Sequence, residues 1–415
     1  MEKMQRVSFK NKLIILINTS GSYKGGAQKR YLALFSYLQR IGADDYFLLL
    51  NDSLYEACLR DKILISSKNI IFIKIKKARE KGIAFNNSPS NINSESSAHQ
   101  KLILKIYPTL GLIMSYFKQL KRWAIYNLEL IKIIKRLNIG LIYGVFSGGI
   151  WSWQVARLMG IKFIYSYNDA SAAMIERSIF KILKSEYYVL KFADKIDFLS
   201  EGVLHKLNEK GIYIKNDKAL ISPNSFITYE NFYPEYPKIN RIVFSGRLTN
   251  FKQPTLLLEA ISILKLRNFT DFTLIILGEG YLMPQLLKYK EDFNLDNVLL
   301  KGGVSDTANY LKKSKIFLSL QKDNNYPSQA LLEAMSCGNA VIATDVGETR
   351  KLITESEGIL VPFSAEKIAD AIRFLLENTE ECFRLGQNAR KKAITEHNIE
   401  KYSTYFFEIV ENTIS

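Results

Sequence analysis

The chain has 415 residues, 47% hydrophobic and 24% charged, with 57 Lys and Arg against 41 Asp and Glu for a formal net charge of +16. That length exceeds what one hydrophobic core usually organises, and the balance excludes a largely disordered or fibrous chain. Three widely separated cysteines, Cys58, Cys337 and Cys382, argue against a disulfide scaffold or a thiolate metal site and fit a reducing, cytoplasmic setting.

The first apolar run, Leu13 to Ile17, stops at polar Asn18, Thr19 and Ser20. It is too short for a signal sequence and is predicted as a buried strand. The loop after it carries Gly25 and Gly26 directly before a helix whose apolar face is Tyr31, Leu34, Phe35 and Leu38. Glycines let a ligand approach the backbone and a helix start favours negative charge, although a two-glycine turn is also common for purely structural reasons. Further strands are predicted at Tyr46 to Leu50, Ile70 to Ile73, Ile139 to Tyr143, Lys162 to Tyr165 and Lys195 to Leu199.

Residues 74–136 hold 13 basic and 3 acidic residues, and residues 231–415 hold 22 and 23, so the positive charge belongs to the first part of the chain. Within the basic block a polar tract, residues 86–100, reads as a loop. Beyond it, Lys118, Lys121, Arg122, Lys132, Lys135 and Arg136 interleave with Phe117, Trp123 and aliphatic residues. Two readings stay open: an interfacial helix on an anionic membrane, or a core helix with a solvated basic face. No helix-turn-helix, zinc-finger or RNP-like pattern accompanies the charge, so nucleic acid is not expected. No run of about 18 apolar residues occurs, so no spanning helix is predicted.

The segment ISPNSFITYENFYPEYPKINR, rich in Pro, Asn and Tyr, reads as an interdomain linker. Past it, strands are predicted at Arg241 to Phe244, Thr273 to Leu277, Val298 to Lys301, Ile316 to Leu320, Ala340 to Ala343 and Gly358 to Val361. Helices are predicted at Pro254 to Leu266, Tyr281 to Phe293, Ser328 to Ser336 and Ala365 to Glu377. Strand and helix alternate in both halves, the signature of parallel sheets with crossover helices.

Ligands of such sheets sit at the carboxyl ends of strands. There SGRLTNFKQP offers Arg247 and Lys252, two cations able to clamp a diphosphate or equally to be solvated surface charges. The next candidate, QKDNNYPSQALLEAMSCGNAVIATDVGET, places Ser328 at a helix start and Glu333 inside an apolar helix, where a carboxylate demands a partner. Gly347, Glu348 and Thr349 form another loop entering a helix, which fits a plain turn and cap as well. His205 and His397 fall in polar helical segments and are expected at the surface.

GRLTNFK, LIILGEG and NYPSQALLEAMSCGNAVIATDVGET resemble the retaining glycosyltransferases of family 4, and GGAQKR is similar to that family's N-terminal glycine loop. The resemblance implies an α/β chain of GT-B architecture, two Rossmann-like doubly wound domains facing across a cleft. It divides the chain into an acceptor-binding domain at 1–225, a donor-binding domain at 226–395 and a C-terminal helix at 396–415 packing back toward the first domain.

The resemblance implies catalytic roles for Arg247 and Lys252 on the diphosphate of a UDP- or GDP-linked sugar. Donor contacts would come from Gly25, Gly26, Asn325, Tyr326, Ser328, Gln329, Glu333, Gly347, Glu348 and Thr349, with Glu333 on the ribose. The family's first motif glutamate falls at Asn325, which opens a second reading, a catalytically silent sugar-nucleotide-binding subunit. The family's N-terminal histidine is not evident in YSYNDASAA, which offers Asn168 and Asp169 on the acceptor side. The expected reaction needs no cofactor or metal beyond the nucleotide sugar. It moves a hexose to a lipid-linked saccharide in surface polysaccharide biosynthesis, at the cytoplasmic face of a membrane.

Overall fold

The computed structural model describes residues 11–17, 26–60, 68–74, 120–168 and 185–415. Gly25, Asp169, the polar tract 86–100 and most of the basic block lie outside them.

Two parallel sheets form the two halves. The first has the order β3-β2-β1-β4-β5-β6-β7 and the second β10-β9-β8-β11-β12-β13. In the first, β1 (Asn11–Ile17) and β2 (Tyr46–Asn51) lie beside β3 (Ile70–Ile73), with β4 (Ile139–Phe146), β5 (Lys162–Tyr167), β6 (Lys195–Phe198) and β7 (Ala219–Ile221) on the other side. Leu13 to Leu16 are wholly buried, as strands covered by helices on both faces require. β4 runs past the predicted end at Tyr143, because pairing with β1 continues to Ile17 and Phe146 and overrides the weak strand preference of Gly144. β7, three residues at the sheet edge, has too short a pattern to be read from sequence.

The second sheet comprises β8 (Ile239–Ser245), β9 (Thr273–Leu277), β10 (Val298–Gly302), β11 (Ser314–Ser319), β12 (Ala340–Thr344) and β13 (Gly358–Val361). In each sheet the order reverses at one crevice, between β1 and β4 and between β8 and β11, where doubly wound folds bind ligands.

Helix α1 (Gly26–Arg40) buries Tyr31, Leu34, Phe35 and Leu38 against the first sheet. α2 (Asp52–Arg60) covers the same face. The described part of α3, residues 120–137, packs Tyr126, Leu130, Ile133 and Ile134 on the other face, with α4 (Ser147–Leu158), α5 (Glu186–Phe192) and α6 (Glu201–Glu209). The second sheet is flanked by α7 (Pro254–Leu266), α8 (Met283–Asp292), α9 (Ala308–Leu311), α10 (Gln329–Ser336), α11 (Ala365–Glu377) and α12 (Thr379–Glu396).

The final helix, α13 (Ile399–Ile414), contributes Tyr402, Phe406, Ile409 and Val410 to the core beside α1, in the first domain. The chain crosses between domains twice. Phe226 packs in the first domain's core and Ile227 in the second's, and the return runs from Ala393 to Ile399. The crossings are tied together: Asn224 Nδ2 donates to Asn398 O at 3.1 Å, and the Tyr229 hydroxyl donates to Ala393 O at 2.7 Å. This corrects one expectation. His397 is 5% exposed at the second crossing, and burial pushes its imidazole down to about 4, whereas His205 is exposed beside Glu209.

Candidate active site

The loop after β8 is laid flat on the loop after β9. Gly246 N donates to Leu277 O at 3.0 Å and Leu248 N to Glu279 O at 2.9 Å. Gly278, at φ +137°, makes this possible, since a Cβ there would stand 1.8 Å from Gly246 O. Arg247 is thereby held at the exposed rim. The Lys252 stem lies along Gly246, within 3.7 to 3.9 Å of where a Cβ would be. Burial, with the like charge of Arg247 added, pushes the Lys252 ammonium down to about 8.

β8 and β11 pair in parallel with Phe244 opposite Leu318, and Lys322 N donates to Phe251 O at 3.0 Å. The loops leaving the two strands therefore emerge side by side. The second of them passes through a cis Tyr326–Pro327 bond to Ser328, whose hydroxyl caps α10 by accepting from Leu331 N at 3.4 Å. The loop leading to the α10 start therefore leaves the strand next to the one whose loop carries Arg247 and Lys252.

Asn325 does not present its amide to that edge. It is 1% exposed; its oxygen accepts from the Ser319 hydroxyl at 2.9 Å and from Gln321, and its Nδ2 donates to Ser319 O at 3.1 Å. Tyr326 is also buried, its ring 5.6 Å from Lys351 Nζ.

Glu333, 4% exposed, has the partner its surroundings demand, on the other domain. Oε1 accepts from Lys29 Nζ at 2.8 Å, and Oε2 from Thr307 Oγ1 at 2.9 Å. Beside it Gln329 Nε2 donates to Phe226 O at 2.9 Å, and a Cβ on Gly26 would stand 3.0 Å from Gln329 Cγ. The starts of α1 and α10 therefore face each other across the gap.

Glu348 bridges the same gap. It accepts from the Ser200 hydroxyl at the N-cap of α6 and pairs with Lys351 Nζ at 2.6 Å. Burial works against its charge, but Lys351 and Ser200 outweigh it and hold the carboxyl below its ordinary range. Gly347 takes φ +53° against Asn324. Thr349 turns inward, its hydroxyl donating to Val346 O at 2.6 Å.

On the first sheet Asn168 follows β5, and its Nδ2 donates to Ser166 O and Oγ, both at 3.0 Å. Behind it lies a buried network centred on Asp197 of β6, which accepts from Tyr143, from Tyr405 at 2.7 Å and from Ser222 at 3.0 Å. Burial raises the Asp197 pKa; Tyr143 and Arg30 oppose that shift without cancelling it. A concavity of about 500 Å³ lined by Asp345, Arg350, Glu355 and Glu381 lies along β13 and holds none of the forecast residues.

Lys29, Thr307, Ser200 and Asp197 are the residues that sequence reasoning missed. Asp197 carried a signal, a lone carboxylate inside the apolar strand KIDF. Lys29 stood in the motif GGAQKR, but a lysine in a helix's second turn looks like any solvated charge.

With two parallel α/β sheet domains, the chain belongs to the glycosyltransferases, and its architecture is GT-B. Residues 226–392 match the family described as glycosyl transferases group 1. O-antigen biosynthesis glycosyltransferase WbnH of Escherichia coli is 29% identical over 295 residues, 68% of this chain and 79% of that one. An N-acetylgalactosamine-N,N'-diacetylbacillosaminyl-diphospho-undecaprenol 4-alpha-N-acetylgalactosaminyltransferase of Campylobacter jejuni is 31% identical over 261 residues, 60% of this chain and 70% of that one. In fold the chain is similar to Anabaena HepE solved with UDP, with a TM-score of 0.70 at 13% identity over 97% of this chain and 100% of that one. It is also similar to a glycosyltransferase of Rickettsia africae, with a TM-score of 0.69 at 19% identity over 98% and 99%.

Proposed function

We propose that this glycosyltransferase of polysaccharide biosynthesis moves a hexose or N-acetylhexosamine from a UDP- or GDP-linked sugar to a lipid-linked saccharide, with retention and without a metal ion. The observation that carries the reading is the pair of cations on the loop after β8 at the crevice, the Lys252 stem laid along Gly246 and Arg247 at the exposed rim, where burial and the like charge push the Lys252 ammonium down to about 8. A diphosphate placed there relieves the desolvation and the repulsion together. Arg247 grips it through its planar fork, Lys252 acts as a point charge, and the α10 start adds backbone N–H groups.

These groups offset the charge that grows on the leaving diphosphate. The bond from the sugar's anomeric carbon to the phosphate oxygen breaks, and the acceptor oxygen bonds that carbon from the same face. The acceptor's proton passes to the departing phosphate. The protein holds and neutralises; no side chain attacks.

The relative from Campylobacter jejuni is named for a diphospho-undecaprenol substrate, which supports a lipid-linked acceptor. An exposed stripe on α3 supports contact with an anionic cytoplasmic membrane surface: Ile125 and Leu128, 51% and 61% exposed, flanked by Lys121, Lys132 and Lys135. Among the described residues no helix is long and apolar enough to cross a membrane.

The test is a thermal-shift panel of UDP, GDP, ADP and their sugars, followed by transfer to a polyprenyl-diphosphate saccharide. Neither transfer nor slow donor hydrolysis with any donor would overturn the enzymatic reading. Nucleotide binding without either reaction would favour the silent-subunit reading instead.

A further inference from the structure

The carboxylate assigned to the ribose has an ion-pair partner, and that partner comes from the opposite domain. Lys29 Nζ lies 2.8 Å from Glu333 Oε1, the Lys29 side chain 37% exposed and the Glu333 side chain 5%. The other oxygen takes the Thr307 hydroxyl, a contact within the C-terminal domain. Glu333 is therefore fixed from one side by its own domain and covered from the other by a flexible cation.

The setting sharpens this. α1 and α10 meet start to start, so close that a Cβ on Gly26 would stand 3.0 Å from Gln329 Cγ, a tight contact. Neither helix has an acidic residue in its first turn, so neither offsets its positive end with a carboxylate of its own there. Glu333, one turn inside α10, is the carboxylate Lys29 meets there. Two positive helix ends and one ammonium thus share a gap, a setting that suits a diphosphate.

We propose that Lys29 is the resting occupant of the ribose subsite. The donor's ribose hydroxyls displace it from Glu333, and the freed ammonium becomes a cation for the donor's diphosphate, supplied by the N-terminal domain opposite Arg247 and Lys252. This rests on the donor-binding reading above. The chemistry sets the direction of the exchange. Ribose hydroxyls are neutral donors and replace a charged one, so a nucleoside alone gains little on Glu333. A diphosphate restores the lost ion pairing by receiving the ammonium, and a lysine on its four-carbon stem re-aims without moving the helix. The site therefore recognises nucleoside and diphosphate together and discriminates against either alone.

The experiment is calorimetry on the full chain and on Lys29→Met, which keeps the stem and removes the charge. Uridine and UDP are run in parallel with guanosine and GDP, with melting temperature as the folding control. The expected result is opposite movement: the nucleoside binds several-fold tighter to Lys29→Met, its diphosphate binds weaker, and the ratio of the two Kd values falls at least tenfold. Lys29→Arg restores most of the ratio. Both ligands weakening together would make Lys29 a structural latch, and both unchanged would make it a surface ion pair; either overturns the exchange. Lys252→Met and Glu333→Gln separate the two levels. If they weaken diphosphate binding while Lys29→Met moves both ligands alike, only the exchange fails; if they leave it unaltered, the donor-site reading fails and the exchange with it.

Discussion

The Arg30 guanidinium lies 4.5 Å from the centroid of the Tyr402 ring, joining the second turn of α1 to a helix at the other end of the chain. Phe226, at the first domain crossing, is 5.1 Å from the same guanidinium. Arg30, 2% exposed, therefore ties the helix after the glycine loop to the first crossing and to α13, just past the return. Removing the ring by Tyr402→Ala should destabilise the protein by about 3–5 kcal/mol through the cavity left behind. Tyr402→Phe loses only the hydroxyl's 3.3 Å bond to Asp197 and should cost within about 1 kcal/mol, because Tyr143, Tyr405 and Ser222 still serve that carboxylate. Urea unfolding followed by circular dichroism distinguishes these outcomes; equal losses for the two variants would contradict them.

Lys252 sets the pH dependence of donor binding. Its folded-state pKa is depressed to about 8, and the charged form is the one an anion needs. Affinity for the nucleotide diphosphate should therefore be full below that value and fall above it, by up to about tenfold per pH unit. Lys252→Met should bind weakly at every pH with the slope removed. Calorimetry from pH 6.5 to 9.5 reads both; a slope that survives the substitution assigns the titration elsewhere.

Glu333→Ala should weaken nucleotide affinity by about 1–3 kcal/mol, the cost of losing charged hydrogen bonds. Stability should change little, since the freed Lys29 side chain, already 37% exposed, reaches water. A collapse in melting temperature with unchanged nucleotide affinity would make the residue structural.

Asn325→Glu restores the family's first motif glutamate on paper. The position is 1% exposed, and its amide nitrogen donates to Ser319 O. A glutamate there buries a charge against that carbonyl, at a cost of about 3 kcal/mol or more, without reaching the donor. The expected outcome is a lower urea midpoint and no gain in transfer; higher activity at unchanged stability would show that the side chain swings into the cleft.

If the stripe on α3 meets the membrane, Lys132→Glu with Lys135→Glu should reduce sedimentation with vesicles containing anionic lipid, and raising salt should do the same to the unaltered protein. Binding indifferent to both would leave the basic face merely solvated.

Much of this molecule can be read without coordinates. The alternation of β-rich runs and helical periods marks both sheets, and β9, β13, α7 and α11 end where their patterns end. Arg247, Lys252 and the Ser328 cap are legible because each stands where a strand gives way to a helix, a local event that residue order records. Lys29 and Glu333 are 304 positions apart, and Glu348 finds Ser200 148 positions earlier. No periodicity encodes such pairs, because they follow from how two separately folded domains dock. The inward turn of Asn325 likewise depends on which neighbours the end of β11 brings to it. Local sequence spacing dictates what each element is, whereas the charges that meet across the cleft are chosen by the packing that places Phe226 in one core, Ile227 in the other, and α13 back beside α1.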